Sequence, residues 1–393
     1  MERIEPVARN YPWGSRTRIP ELLGADSPAK SPLAELWFGA HPLAPSTIGG
    51  EPLDRVIAAD PDGQLGGAGE LPFLLKVLAA AAPLSLQAHP TREQAEAGYA
   101  AEDAAGIART AAERNYRDRN HKPELIVALT EFHALAGFRP VPRTRELLAE
   151  LAIPELDRYT VLLDGADGLR GLFTTWLTLP PTALADLVEA VRARCADYAG
   201  AGWVAEVAGT VADLAERYPG DPGVLAALLL NRITLAPGEA AFLGAGNLHA
   251  YLDGLGVEIM ANSDNVLRGG LTAKHVDVVE LLRVLSFEPV ADPVVHPERT
   301  GALRRYPVPA EEFALSVAEV GGGAGTTVRG PAILLVTDGT ARIGGVETPR
   351  GAAVWLPAAE AAGVTALERA EVFIATPGAG CGGAAAGAAR PGD

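Results

Sequence analysis

Residues 71–90 read LPFLLKVLAAAAPLSLQAHP. Two apolar runs flank Ala81-Ala82-Pro83, so the segment reads as strand, turn and strand. In its second half successive side chains alternate faces. Leu84, Leu86 and Ala88 point one way, and Ser85, Gln87 and His89 point the other. Two more segments repeat this division. In KPELIV, Lys122 and Glu124 share a face; in NLHAY, Asn247, His249 and Tyr251 do. Strands of this kind can build an apolar core from one stripe. If they line one barrel, their polar stripes converge in its interior. Gln87, His89, Glu124 and His249 would then offer two imidazoles, a carboxylate and an amide oxygen. Such a set suits a divalent metal such as zinc, with positions left for substrate or water. A neutral glutamine leaves more positive charge on the ion than a second carboxylate would, which favours a Lewis-acid role. The competing view is that a histidine at a strand end is more often a hydrogen-bonded structural residue, and convergence of the strands is here an assumption.

Outward from this stretch the pattern changes twice. Thr91 and Gln94 match a capping box, so a helix is expected over Thr91 to Glu113. KPELIVALTEFHALAGF, 122–138, reads as further strand. From 141 to 230 the chain turns helical; Leu184, Leu187, Val188 and Val191 fall at helical spacing. Strand character returns after Asn231 in ITLAPGEAAFLGAGNLHAYL and GVEIM. A helix is expected over Lys274 to Leu285, with Thr272 as N-cap. The Pro-rich 287–301 reads as a linker. Short alternating runs follow, FALSVAEV, AILLVTDGTARIGG with an Asp338-Gly339 turn, AAVWLP and EVFIATP, as in a small antiparallel sandwich or barrel. The expected division is thus 1–140 with 231–288 as one β domain, 141–230 as a helical insert, 300–378 as a C-terminal β-sandwich, and 379–393 as a disordered tail.

Composition narrows the function classes. The 393 residues carry 49 acidic and 33 basic side chains, a formal net charge of -16, which argues against a nucleic-acid partner. A small anion needs only a few local cations and stays possible. Cys195 and Cys381 are the only cysteines, which excludes a disulfide framework and a cysteine metal site and fits a reducing, cytoplasmic compartment. The N-terminus lacks the apolar core of a signal peptide, and no stretch of about 20 uncharged apolar residues could span a membrane. A monomer is expected. The 97 residues after His296 contain no histidine, so one metal per chain is expected.

Residues 262–275, NSDNVLRGGLTAKH, form a second dense polar segment with Asp264, Arg268, Lys274 and His275. Gly269-Gly270 permits close backbone approach, and Arg268 is a natural fork for a phosphate. The plainer reading is a solvated loop before a helix. His41, His133 and His296 read as structural or exposed. Trp13 is a candidate pocket wall, although aromatics near turns are usually core.

NYPWG, ELWFGAHP, PFLLKVLAAAAPLSLQAHP, NHKPE, AGFRP, GNLHAYL and GVEIMANSDNVLRGGLTAKHVD, in this order between about residues 8 and 285, resemble the type I phosphomannose isomerases. The resemblance implies a mainly β cupin (jelly-roll) fold: a catalytic barrel, a helical insert and a second C-terminal barrel. It implies zinc held by Gln87, His89, Glu124 and His249, and interconversion of mannose 6-phosphate and fructose 6-phosphate through a cis-enediol. The family's polar active-site residues fall on Lys122, His121, Tyr251, Glu258, Asp264, Arg268 and Lys274. Phosphate contacts are expected around Ser85, Lys76 and Lys274. Lys122, His121 and Asp264 are rival candidates for the proton-transferring base, with Arg268 stabilising the enediolate. His133 departs from the family pattern without touching the metal set. The alternatives are an isomerase of another phosphosugar, a metal-dependent oxygenase, and a non-catalytic sugar-binding cupin.

Overall fold

The computed structural model describes residues 1–67 and 69–379. The tail expected to be disordered lies, from residue 380, outside the described residues. Two large antiparallel sheets and a helical block dominate the described residues, beside a small two-stranded sheet, Thr47–Ile48 with Glu51–Pro52. The first sheet runs in the order Val294–Val295, Ala240–Leu243, Glu124–Ala128, His249–Ala261, Phe73–Ala80, Glu35–Gly39, Val7–Arg9. A second leaf holds Leu86–Ala88, Phe132–Phe138, Leu230–Leu235 and Leu267–Gly270.

The 13-residue strand His249–Ala261 joins the two leaves. Its start pairs with the second leaf, His249 opposite Gln87 and Ala136. Its end pairs with Phe73–Ala80 and Glu124–Ala128. The change of partner follows an irregularity between Tyr251 and Asp253. Gly254 next to it has φ +138, and a Cβ there would lie 2.4 Å from the Phe132 ring. Glycine is needed where a strand bends against another backbone. The two apolar runs of residues 71–90 are strands as expected, Phe73–Ala80 and Leu86–Ala88.

Helices fill 141–227, among them Pro181–Ala196 and Trp203–Arg217, over a core that includes Leu147, Phe173, Trp176, Val191 and Val211. The second sheet contains Ala314–Gly321, Ala332–Ile343, Ala353–Leu356 and Arg369–Thr376. The first strand of the chain, Glu2–Ile4, pairs with Ala353–Leu356 in this second sheet. A shared core of Phe73, Val77, Leu125, Tyr306, Phe313, Trp355 and Phe373 welds the two sheets together.

Three local expectations are corrected. The helix after the capping box spans Arg92–Ala104, shorter than expected. Thr91 and Gln94 do cap each other, but the chain turns at Gly106, φ +74. The helix expected from Lys274 spans Val278–Val284, and its cap is Asp277, which accepts from the Glu280 N–H at 3.0 Å. Residues 271–272 are instead held irregular by Asp221, whose carboxylate accepts from the Leu271 N–H at 2.8 Å and the Thr272 N–H at 3.3 Å. Asp338-Gly339 is no hairpin turn. It lies within the continuous strand Ala332–Ile343, just after a bulge at Val336/Asp338. The reversal is made by Gly344-Gly345, both at positive φ, as a tight hairpin requires.

Candidate active site

Strand pairing brings the four proposed ligands to one place. Glu124 lies opposite Met260 and Leu243, and His249 opposite Gln87. His89, Glu124 and His249 are fully buried, and one ligand atom of each lies within 4.8 Å of the others. His89 Nε2 is 3.4 Å from Glu124 Oε1, and His249 Nε2 is 3.3 Å from Glu124 Oε2. Two donors bound tetrahedrally at zinc lengths sit about 3.3 Å apart, so the spacing fits. Both Nδ1 atoms face backbone carbonyls, His89 that of Asn265 at 2.8 Å and His249 that of Asn247 at 2.9 Å. The Nδ1–H groups donate there, which leaves each Nε2 as a bare lone pair facing Glu124. His89 Nε2, His249 Nε2 and Glu124 Oε2 have no hydrogen-bond partner. Three orphaned buried atoms in one spot are costly unless an ion satisfies them. Burial pushes the His89 imidazole down to about 4, the neutral form a metal needs. Burial alone would raise the Glu124 carboxyl, but Lys122 and then His89 hold it well below its ordinary value. Gln87 is half-buried beside them, facing the cavity.

Asn265 was not foreseen. It is fully buried, and its Oδ1 accepts from the Arg117 and Asp118 N–H groups while its amide donates to the Asp118 and Asn120 carbonyls. It thereby fixes the carbonyl that orients His89. Asn265→Ala is expected to weaken metal retention by about 10- to 100-fold, the usual cost of losing an outer partner; competition with a chromophoric chelator checks this.

A cavity of about 830 Å³ opens above the cluster. Trp13, Lys76, Ser85, Lys122, Tyr251, Glu258, Asp264, Arg268 and Lys274 all line it. His121 does not. Its Nε2 instead faces Glu312 at 2.5 Å, and Arg92 joins the same carboxylate at 2.6 Å. Lys122 and Glu124 line the cavity, whereas His121, in the irregular stretch before the strand Glu124–Ala128, turns to Glu312. Lys76 lines the cavity and is paired there with two carboxylates. Its Nζ lies 2.9 Å from Glu258 and 3.6 Å from Glu35. Burial alone would lower this ammonium; Glu258 and Glu35 raise it well above its ordinary value. Tyr251 donates to the other Glu258 oxygen at 2.8 Å, and burial, then Glu258, raises its phenol.

The cavity also contains residues that the sequence reading passed over. Glu35 and Trp37 alternate along one face of ELWFG, and a glutamate in an otherwise apolar strand was the available signal. His41, read as structural or exposed, is buried at the cavity wall, its Nε2 3.7 Å from Asp264 Oδ1. Arg117 joins Arg268 and Lys274. Burial, then Arg117, lowers Arg268, and burial, then Arg268 and Arg117, lowers Lys274. None of these three cations has a carboxylate partner among the described residues. Tyr11 stacks on Trp13 at 5.5 Å, giving the cavity an aromatic wall.

The comparisons with known proteins agree. The family described as "Phosphomannose isomerase type I, catalytic domain" matches residues 1–141. The mannose-6-phosphate isomerase of Escherichia coli (strain K12) is 40% identical over 358 residues, covering 87% of this chain and 90% of that protein. The Homo sapiens mannose-6-phosphate isomerase is 33% identical over 424 residues, covering 95% and 97%. A crystal structure of mannose 6-phosphate isomerase bound with zinc and yttrium superposes with TM-score 0.87 at 36% identity, covering 96% of this chain and 99% of that one. The Salmonella typhimurium enzyme bound to fructose 6-phosphate and zinc does so with the same score, identity and coverage. The orphaned His–Glu–His cluster, the cavity above it and these similarities lead to one conclusion: the chain belongs to the type I phosphomannose isomerase family.

Proposed function

We propose that this chain interconverts mannose 6-phosphate and fructose 6-phosphate with one zinc held by Gln87, His89, Glu124 and His249. The observation that carries the reading is the set of three orphaned donor atoms at the floor of a cavity with a cationic rim. Zinc, when bound there, supplies Lewis-acid stabilisation of charge on the sugar oxygens. The chain's own residues do the rest.

The open-chain aldose must lose the C2 proton, forming the C1=C2 bond of a cis-enediol as O1 is protonated. The ketose forms when O2–H gives up its proton and C1 receives one. A side chain must carry the proton between C2 and C1. Four carboxylates line the cavity: Glu35, Glu124, Glu258 and Asp264. Glu35 and Glu258 are tied to Lys76, and Glu124 to Lys122 at 2.8 Å. Asp264 has no lysine or arginine partner among the described residues, which supports it as the base. Lys122, engaged with a metal ligand, and His121, outside the cavity, are less suited. Arg268, in register with Gln87, is placed to offset enediolate charge. Arg117, Arg268 and Lys274 form the phosphate-binding rim in this reading, with Ser85 nearby, while Lys76, Glu258, Tyr251 and Trp13 shape the sugar pocket.

Two outcomes test this. Asp264→Asn is expected to lower kcat by about 10²- to 10⁴-fold with little change in KM. It should also suppress exchange of the substrate's C2 hydrogen with solvent, read by NMR in D₂O. Exchange at the wild-type rate would remove Asp264 from the role. Arg117→Met is expected to raise KM for mannose 6-phosphate about tenfold, in line with loss of a charge-assisted phosphate contact. An unchanged KM would place the phosphate elsewhere.

A further inference from the structure

His41 is 3% exposed and sits on the cavity wall opposite Asp264. Two contacts fix its ring. Its Nδ1 accepts from the Leu43 N–H at 3.3 Å, and its ring meets Trp37 edge-on with centroids 5.2 Å apart. Since Nδ1 accepts, the neutral ring carries its proton on Nε2. That nitrogen points at Asp264 Oδ1, 3.7 Å away. Asp264 is held from the other side by its backbone, whose N–H donates to Asp118 Oδ2 at 2.7 Å. The charged groups that act on the ring are Asp264, Lys76, Asp118 and Lys122. Burial is the largest influence and lowers the imidazole below its ordinary value, so the neutral donor form persists at neutral pH.

We propose that His41 is a positioning residue for Asp264: its Nε2–H anchors one carboxylate oxygen and leaves the other to carry the proton between C2 and C1. The inference rests on Asp264 being the base. The 3.7 Å gap exceeds a direct hydrogen bond, and catalytic hydrogen bonds are often long until substrate closes the site. A carboxylate on a flexible Cβ–Cγ bond needs such an anchor, because a misplacement of about 1 Å can cost 10²-fold in rate. Neither the metal donors nor the cationic rim supplies it. Asp264 Oδ1 has no other charged partner among the described residues.

Two substitutions separate positioning from structure. His41→Asn keeps an acceptor for the Leu43 N–H, as in an Asx turn, but removes the donor toward Asp264. His41→Gln extends an amide N–H to roughly the place of Nε2. Both are measured on the zinc-loaded enzyme with mannose 6-phosphate, alongside zinc content and thermal midpoint. His41→Asn is expected to lower kcat by about 10- to 100-fold with KM, zinc content and midpoint unchanged, and His41→Gln to recover most of that loss. Turnover of His41→Asn within about twofold of wild type, or no recovery in His41→Gln, overturns the proposal. Loss of zinc or of the fold in both variants also overturns it, by making His41 a structural wedge. The Asp264→Asn variant tells this failure from failure of the underlying reading. Wild-type and D264N enzymes that differ little sink both, whereas an inactive D264N beside an active H41N sinks only the role of His41.

Discussion

His249→Ala is expected to lose bound zinc and turnover together. The imidazole is fully buried, its Nδ1–H is committed to the Asn247 carbonyl, and its Nε2 has no partner but the proposed ion. Alanine removes one of only two nitrogen donors and leaves Glu124 and His89 with an incomplete shell. Catalysis that depends on charge stabilisation by the ion should fall by at least about 10³-fold, since losing even one preorganised electrostatic contact typically costs 10²–10³. Stability should fall with the loss of zinc. In the wild type, zinc in about thousandfold excess over its dissociation constant adds about 4 kcal/mol. The variant should therefore resemble chelated wild type in thermal midpoint and should no longer respond to added zinc. A variant that still binds zinc stoichiometrically would show that the cluster does not depend on His249.

The second large effect is structural. Lys76 is buried between Glu258 and Glu35, with its Nζ also 5.3 Å over the Trp37 ring. Lys76→Met keeps the stem but strands two buried carboxylates. Breaking a buried pair in this way costs about 3 kcal/mol. Stranded carboxylates are pushed up relative to the unfolded chain, so the folded variant holds a proton that the unfolded chain releases. Its stability is then greatest at acid pH and falls as pH rises through the carboxylate range. In the wild type the Lys76 ammonium is raised instead, so its contribution is fully present below the ordinary lysine value and is lost only as pH rises above it. Urea unfolding of both proteins at pH 5 and pH 8 is the check. Equal destabilisation at the two values would mean that the carboxylates find other partners.

These two residues also mark what was legible in the sequence. The metal set was readable because strand alternation puts Gln87 with His89, and Lys122 with Glu124, on defined faces. The capping box Thr91/Gln94 was readable because it is local. That Lys76 is paired with Glu258 was not legible, because the two lie 182 residues apart in the sequence. His121 was placed in the site by the resemblance of NHKPE to the family, and its partner Glu312 lies 191 residues away in the sequence. His41 looked inert because nothing in AHP announces Asp264, which only the long-range fold brings within 3.7 Å. The pairing of Glu2–Ile4 into the distant second sheet has no local signature at all. Asp338-Gly339 read as a hairpin because the same dipeptide serves a bulge equally well.

The central claim is that this cavity isomerises a phosphosugar above a zinc ion. The most direct test is coupled conversion of mannose 6-phosphate to fructose 6-phosphate, with metal content measured on the same sample. Turnover is expected at about one zinc per chain, lost on chelation and restored by zinc. Turnover that survives complete removal of metal, or stoichiometric zinc with no turnover of mannose 6-phosphate, would contradict it.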